Sequence, residues 1–303
     1  MKKRIVCAGA MLAVLLMMTS CFTRQRETLV IGLLPDIDSV PFVVAYLRGY
    51  FHEDIELQVF PGPLHRDTAL FAGALDGSIS DVLAVGLARN AGHEVYITIR
   101  TDGRKGIVTF ADIDSPADLE GMEIGMSLNT IIDYIVDRAV LAYGGDPDLV
   151  IKTSVPAIPS RLELLLNRQI DAVAFPEPFV TVAALNGANV VASSDIMGIA
   201  PEVILMTRNA MENKFDLVQN LFDGYDRAVV FINSTDSAEF MPDVIEFLGL
   251  PADSIYVDLP VYSLSMIPDE SEVDAAIEWL YNRGMIERPF TFKELLWDPN
   301  LRN

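Results

Sequence analysis

Leu29-Val30-Ile31-Gly32-Leu33-Leu34-Pro35-Asp36-Ile37-Asp38-Ser39-Val40-Pro41-Phe42 opens the body of the chain and sets the pattern for the rest of it. The unbroken apolar run 29–34 reads as a strand covered on both faces, as in a parallel sheet. Residues 35–39 form a loop at its carboxyl end. Residues 40–51 read as a helix, apolar on most faces, with Pro41 near the first turn, where a missing N–H breaks no helical hydrogen bond. Further on, 55–60 alternates as a second strand, 66–74 is a helix, Asp76-Gly77 a turn, 79–87 a strand running into a helix, and 95–99 another strand. Strand, loop and helix in repeated order predict an α/β fold, an open and mostly parallel sheet with helices on both faces. Such sheets bind ligands beyond the carboxyl ends of their strands.

A second unit of the same kind comes next. Residues 116–121 read as a short capped helix, 122–126 as a strand, and 129–143 as a helix ended by Gly144-Gly145. Strands are expected at 150–155, 170–175 and 189–192, and helices at 158–166 and 178–185. Residues 203–206 read as a strand returning to the first unit, before helices over 215–232, 237–248 and 270–283. The chain is therefore expected to cross between units near residues 107 and 203. That places 29–107 and 203–303 in one lobe and 108–202 in the other, joined by a double hinge.

The sequence has 303 residues with 22 basic and 43 acidic side chains, a formal charge of -21 that repels nucleic acid. Met1-Lys2-Lys3-Arg4, the apolar run 5–18 and the small pair Thr19-Ser20 read as a secretory signal peptide over residues 1–20. Met18-Thr19-Ser20-Cys21 resembles a bacterial lipobox, with Met18 in place of the usual Leu. Lipidation at Cys21 would anchor the chain to a membrane through a tether over residues 21–28. The only other cysteine, Cys7, lies inside the signal, so no disulfide or thiolate metal site is expected. His52, His65 and His93 show no zinc-binding spacing, and neither a glycine-rich phosphate loop nor a nucleophile elbow is present.

Several motifs together resemble the lipoprotein substrate-binding proteins of ABC importers, in the branch that binds thiamine-pyrimidine precursors, nitrate and alkylsulfonates. They are Val40-Pro41-Phe42 through Gly49-Tyr50-Phe51, Arg66-Asp67 followed by Leu75-Asp76-Gly77 and Asp81, and Asp118-Leu119-Glu120-Gly121. Ser127-Leu128-Asn129-Thr130, Arg161-Leu162-Glu163-Leu164-Leu165 with Ile170-Asp171-Ala172, and Pro176-Glu177-Pro178 continue the series, and Pro289-Phe290-Thr291-Phe292 closes it. The resemblance implies a type II periplasmic binding protein, two mixed-sheet lobes gripping a small-molecule ligand without catalysis and without a cofactor or metal. It also implies a monomer in the bacterial cell envelope, facing the periplasm or extracytoplasmic space and serving an ABC permease with its cytoplasmic ATPase. Two alternatives on the same fold are an enzyme of the menaquinone-synthesis type and a ligand-binding module for a sensor. The family's enzyme branch, which makes a thiamine pyrimidine, uses a cysteine-rich iron-binding motif that this chain lacks.

The expected ligand-binding residues come from these loops. Asp36, Asp38 and Ser39 lie where free helix N–H groups and carboxylates converge, and either hold a ligand or cap the helix. Ser127, Asn129 and Thr130 occupy the equivalent place in the second lobe. Arg66 is expected to clamp an anion or to pair with Asp67, and Arg161 to face the cleft or to pair with Glu163 or Asp171. Glu177, stiffened between two prolines, suits an N–H donor, and Phe42, Phe175, Phe179 and Tyr262 could supply flat walls. With Asp81, the carboxylates outnumber the arginines, which favours a neutral or nitrogen-bearing heterocycle over a strong anion.

Overall fold

The computed structural model describes residues 27–199 and 202–297. The expected signal sequence, the lipid site Cys21 and most of the tether lie outside the described residues. The first unit runs β1 (Leu29–Leu33), α1 (Val40–Leu47), β2 (Ile55–Val59), α2 (Pro63–Phe71), β3 (Gly77–Asp81), α3 (Val82–Asn90) and β4 (Val95–Arg100). The second runs β5 (Lys105–Thr109), β6 (Glu123–Met126), α4 (Ile131–Ala142), β7 (Ile151–Ser154), α5 (Ile158–Leu166), β8 (Ala172–Pro176), α6 (Phe179–Leu185) and β9 (Asn189–Ser193). Then β10 (Glu202–Thr207) leads to α7 (Arg208–Asn213), α8 (Phe215–Ile232), α9 (Met241–Leu248), α10 (Glu270–Asn282) and α11 (Phe292–Leu295).

The strands form two five-stranded sheets, ordered β2-β1-β3-β10-β4 and β7-β6-β8-β5-β9. Both are mixed: β1 is parallel to β2 and β3, with β10 antiparallel beside β3, and β6, β7, β8 and β5 repeat that arrangement. The lobes are thus topological copies, and in each the antiparallel strand is the one that directly follows a crossing, β10 in the first and β5 in the second. The crossings run side by side: Thr101 N–H donates to the Glu202 carbonyl at 3.0 Å, and Ser194 N–H to the Lys105 carbonyl at 2.8 Å.

Four sequence expectations need correction. The change of lobe set at residue 107 falls inside β5, which pairs with β8 and β9 in the second sheet, so the first crossing is 101–104. A lysine and a glycine at the head of β5 hide a strand that is buried along its whole length. The helix expected over 40–51 stops at Leu47, because Gly49 takes a left-handed φ of 66° that ends it. The helix expected to open at Arg66 begins at Pro63, putting Arg66 one turn in, and Gly77 belongs to β3 rather than to a turn.

The carboxyl-terminal helices brace both lobes. α8 packs along α1 and α10 along α3, where Gly86 leaves room for Ile277 and Leu280. α10 also reaches the second lobe: Trp279 Nε1–H donates to Asp137 Oδ2 at 2.9 Å, and Arg283 pairs with the same carboxylate. On the other flank residues 252–256 pack against α6. The extended segment beyond them is tied to the first crossing by Ser263 N–H, which donates to Asp102 Oδ2 at 2.6 Å.

Candidate functional site

The loops after β1 and β6, the carboxyl ends of β3 and β8, and the first turns of α2 and α5 meet between the lobes and line a cavity of about 30 Å³. Asp36, Asp38, Arg66 and Asp81 come to it from the first lobe, and Thr130 and Arg161 from the second. A larger adjoining groove of about 570 Å³ carries Asp67, Ser127, Asn129 and Thr130 on its walls, together with Leu64, Phe71 and Leu128. The two spaces share Pro63 and Thr130, so a small chamber lies beside a wide and mostly apolar one.

Two arginines occupy matching places in the lobes. Arg66 on α2 donates through Nη1 to the Ile79 carbonyl at 2.6 Å and through Nη2 to Ser80 Oγ at 2.9 Å. Arg161 on α5 donates through Nη1 to the Ala174 carbonyl at 2.5 Å and through Nη2 to Ser127 Oγ at 3.0 Å. Both side chains are buried, but their charges are handled differently. Arg66 Nε–H donates to Asp67 Oδ1 at 2.8 Å. Arg161 has no carboxylate partner among the described residues, neither Glu163 nor Asp171, and its Nε is buried without a hydrogen bond. Burial alone lowers its pKa to about 9, which leaves it a cation at neutral pH.

Lys105 and Glu202, each the first residue after a crossing, complete the chamber and escaped sequence reasoning. Lys105 Nζ donates to Asp38 Oδ2 at 2.8 Å and pairs with Glu202. Burial opposes the lysine charge, but Asp38 and Glu202 outweigh it and hold the proton firmly. Burial, reinforced by Asp38, keeps the Glu202 carboxyl well above the usual range despite Lys105. Gly103 lets the first crossing pass this cluster, since a Cβ there would collide with the Asp38 carboxylate.

The acid surplus expected at the cleft is therefore mostly committed. Asp38 and Glu202 answer Lys105, Asp67 answers Arg66, and Asp81 caps α3 by accepting from Ala84 N–H at 2.9 Å. Thr130 caps α4 through Ile132 N–H. Asn129 sits at φ 60°, a left-handed turn its short amide tolerates, and its N–H donates to Asp133 Oδ2 at 3.0 Å. Asp36 remains, accepting from Ser39 Oγ at 3.2 Å. Burial pushes its pKa up to about 7, against the pull of Lys105.

Three expected residues are not brought to either space. Phe42 is fully buried in the first lobe against the Tyr225 ring at 4.8 Å, because α1 is apolar on every face and its ring points into the core. The single Ser39 O–H is shared between the Leu34 carbonyl at 2.7 Å and Asp36 Oδ1 at 3.2 Å, both inside the first lobe. Glu177 Oε2 accepts from Thr181 N–H at 3.0 Å, fastening the start of α6, while its backbone carbonyl accepts from Ile37 N–H across the lobes at 3.0 Å. Of the other expected walls, Phe175 and Phe179 stack in the core at 6.0 Å and the Tyr262 hydroxyl donates to the Ile37 carbonyl at 2.8 Å. Glu177→Gln keeps an acceptor at that position, so ligand affinity by calorimetry is expected to stay within about twofold. Stability should fall by less than about 1 kcal/mol; a tenfold loss of affinity would put Glu177 back in the site.

The raised carboxyls carry a pH signature. Between its ordinary value of 3.8 and about 7, the Asp36 carboxyl holds a proton in the folded chain that the unfolded chain has released. Folding stability from this group is therefore present at low pH and lost as pH rises through that window. Asp81, Glu177 and Glu202, also raised by burial, act in the same direction. Urea unfolding of the ligand-free protein is expected to show stability declining from about pH 5 to 8, with a shallower decline in Asp36→Asn.

The model of the NMT1-like family matches residues 23–247, most of the chain. The chain belongs to the NMT1-like family. Among solved structures, this NMT1-like chain is similar to the alkanesulfonate-binding protein SsuA from Xanthomonas axonopodis pv. citri bound to MOPS. The TM-score is 0.77 at 17% identity, over 89% of this chain and 98% of that one. It is similar to the periplasmic nitrate-binding protein NrtA from Synechocystis PCC 6803 with a TM-score of 0.69 at 13% identity, over 86% and 82% of the two chains. The desulfurization enzyme DSZB shares the fold at a TM-score of 0.65 and 16% identity, over 90% and 97%. No curated protein sequence matches. The NMT1-like chain thus has the two-lobed α/β fold of periplasmic binding proteins, with two mixed sheets as the motifs implied.

Proposed function

We propose that this protein is the solute receptor of an ABC importer, closing its lobes on a small anion and presenting it to a membrane permease with a cytoplasmic ATPase. The observation that carries the ligand class is Arg161, a buried guanidinium on the chamber wall with no carboxylate paired to it among the described residues. A buried charge without a partner is costly, and an anionic oxygen arriving from solution offsets that cost. The sulfonate- and nitrate-binding neighbours support an anion over the heterocycle favoured by charge counting along the sequence. Asp36, Asp38, Arg66, Asp81, Ser127, Asn129 and Thr130 complete the proposed site around it. Closure is a population shift, because a ligand touching both lobes favours the geometry in which they meet. Lipidation at Cys21, residence at the envelope surface and a monomeric state belong to the same proposal.

Mass spectrometry of solute released from gently purified protein tests the reading. A sulfonate, carboxylate, nitrate or related anion is expected, recovered unchanged after long incubation. A neutral heterocycle would overturn the ligand class, and conversion of the solute would replace capture with catalysis. Copurification with a permease rather than a sensor kinase identifies the partner.

A further inference from the structure

Of the carboxylates lining the inner chamber, Asp36 is the one that neither pairs with a cation nor caps a helix by its side chain. Its side chain accepts one hydrogen bond, from Ser39, and it shares the chamber with Arg161. An anion seated on Arg161 brings a second negative charge into the chamber that an ionised Asp36 already faces, and the two repel. A buried carboxylate in that position escapes the repulsion by taking a proton, and its new O–H becomes a donor to the ligand.

We infer that Asp36 sets the charge state the chamber accepts, so that an anion on Arg161 is captured together with one proton on the Asp36 carboxyl. This rests on the anion-receptor reading above. The groups facing Asp36 leave it poised for the exchange. From the first lobe come Asp38, which repels its charge, and Ser39 and Arg66, which favour it. From the crossings come Lys105, which favours the charge, and Glu202, whose carboxyl is already engaged by that lysine. Burial prevails, and the acid titrates near neutrality. A ligand carrying its own ammonium group would pair with ionised Asp36 and need no proton.

The test is calorimetric titration of the full-length protein with methanesulfonate, a monoanion at every working pH, in buffers of different ionisation enthalpy. With the Asp36 carboxyl near 7 in the free protein, affinity is expected to be about tenfold weaker at pH 8 than at pH 6. Close to one proton should be taken up per ligand at the higher pH. Asp36→Asn is expected to bind with an affinity that no longer varies with pH and without proton uptake. Equal affinity at both pH values, or uptake that persists in Asp36→Asn, overturns the inference and leaves the anion reading standing. Tighter binding of zwitterionic 2-aminoethanesulfonate without proton uptake also overturns it, by assigning Asp36 to an ammonium. No binding of methanesulfonate, nitrate or acetate at any pH overturns the anion reading itself.

Discussion

Replacing Arg161 by methionine is expected to weaken anion binding more than about 100-fold, the loss incurred when one partner of a buried charge pair is truncated. The guanidinium is fully buried, and its pKa is lowered by burial alone, so nothing in the second lobe neutralises it. The same fact predicts the behaviour without ligand. Removing an uncompensated buried charge relieves desolvation, against which stand the two hydrogen bonds to Ala174 and Ser127. Arg161→Met should therefore unfold at or above the temperature of the parent while failing to capture anions. A variant that binds normally would show that the charge is structural, and one that unfolds far earlier would show that its two hydrogen bonds dominate.

Gly62→Ala is expected to weaken binding at least about tenfold by a different route, steric exclusion of the closed geometry. Gly62 lies at the start of α2 and faces Pro156 of the second lobe, and a Cβ there would overlap the Pro156 carbonyl oxygen. Beside it, Ile158 N–H donates to the Pro61 carbonyl across the seam at 2.9 Å. The backbone at Gly62 is extended, so alanine brings no local strain, and each lobe should fold normally. Small-angle scattering with saturating ligand is expected to show a larger radius for Gly62→Ala than for the parent. Identical radii and affinities would mean that this seam yields without cost.

The alternation of apolar strands and helices is a local signal, and it located most elements of both sheets, including α5 and α8 with their observed ends. β5 was missed because its lysine reads as solvent-facing, and only the arrival of Asp38 and Glu202 from distant parts of the chain makes that lysine a buried residue. The charge count at the cleft could not register which acids are already paired, since pairing between sequence-distant residues is invisible to composition. Phe42 shows the limit of motif reasoning: a residue inside a recognisable stretch served the core.

One signal was present in the sequence and went unused. Arg66 and Arg161 each stand ten residues before an aspartate, Asp76 and Asp171. Each aspartate accepts from the N–H of the neighbouring strand, Val30 at 2.9 Å and Glu123 at 2.8 Å. The lobes are therefore repeats of one unit, and the telling difference is the next position, Asp67 in one and Leu162 in the other. That single change leaves one arginine neutralised and its twin open.

The bridge from α10 to α4 gives the molecule its own optical gauge. Trp279 holds its indole N–H against Asp137 of the facing lobe and its ring against Tyr134, whereas Trp297 stays within the first lobe, edge-on to Tyr96 at 5.2 Å. Any motion that parts the two helices strips one indole of its carboxylate and wets it while the other keeps its surroundings. Emission from the unlabelled chain should therefore change colour as solute is added, with Trp279→Phe silencing the change and Trp297 left as a constant background.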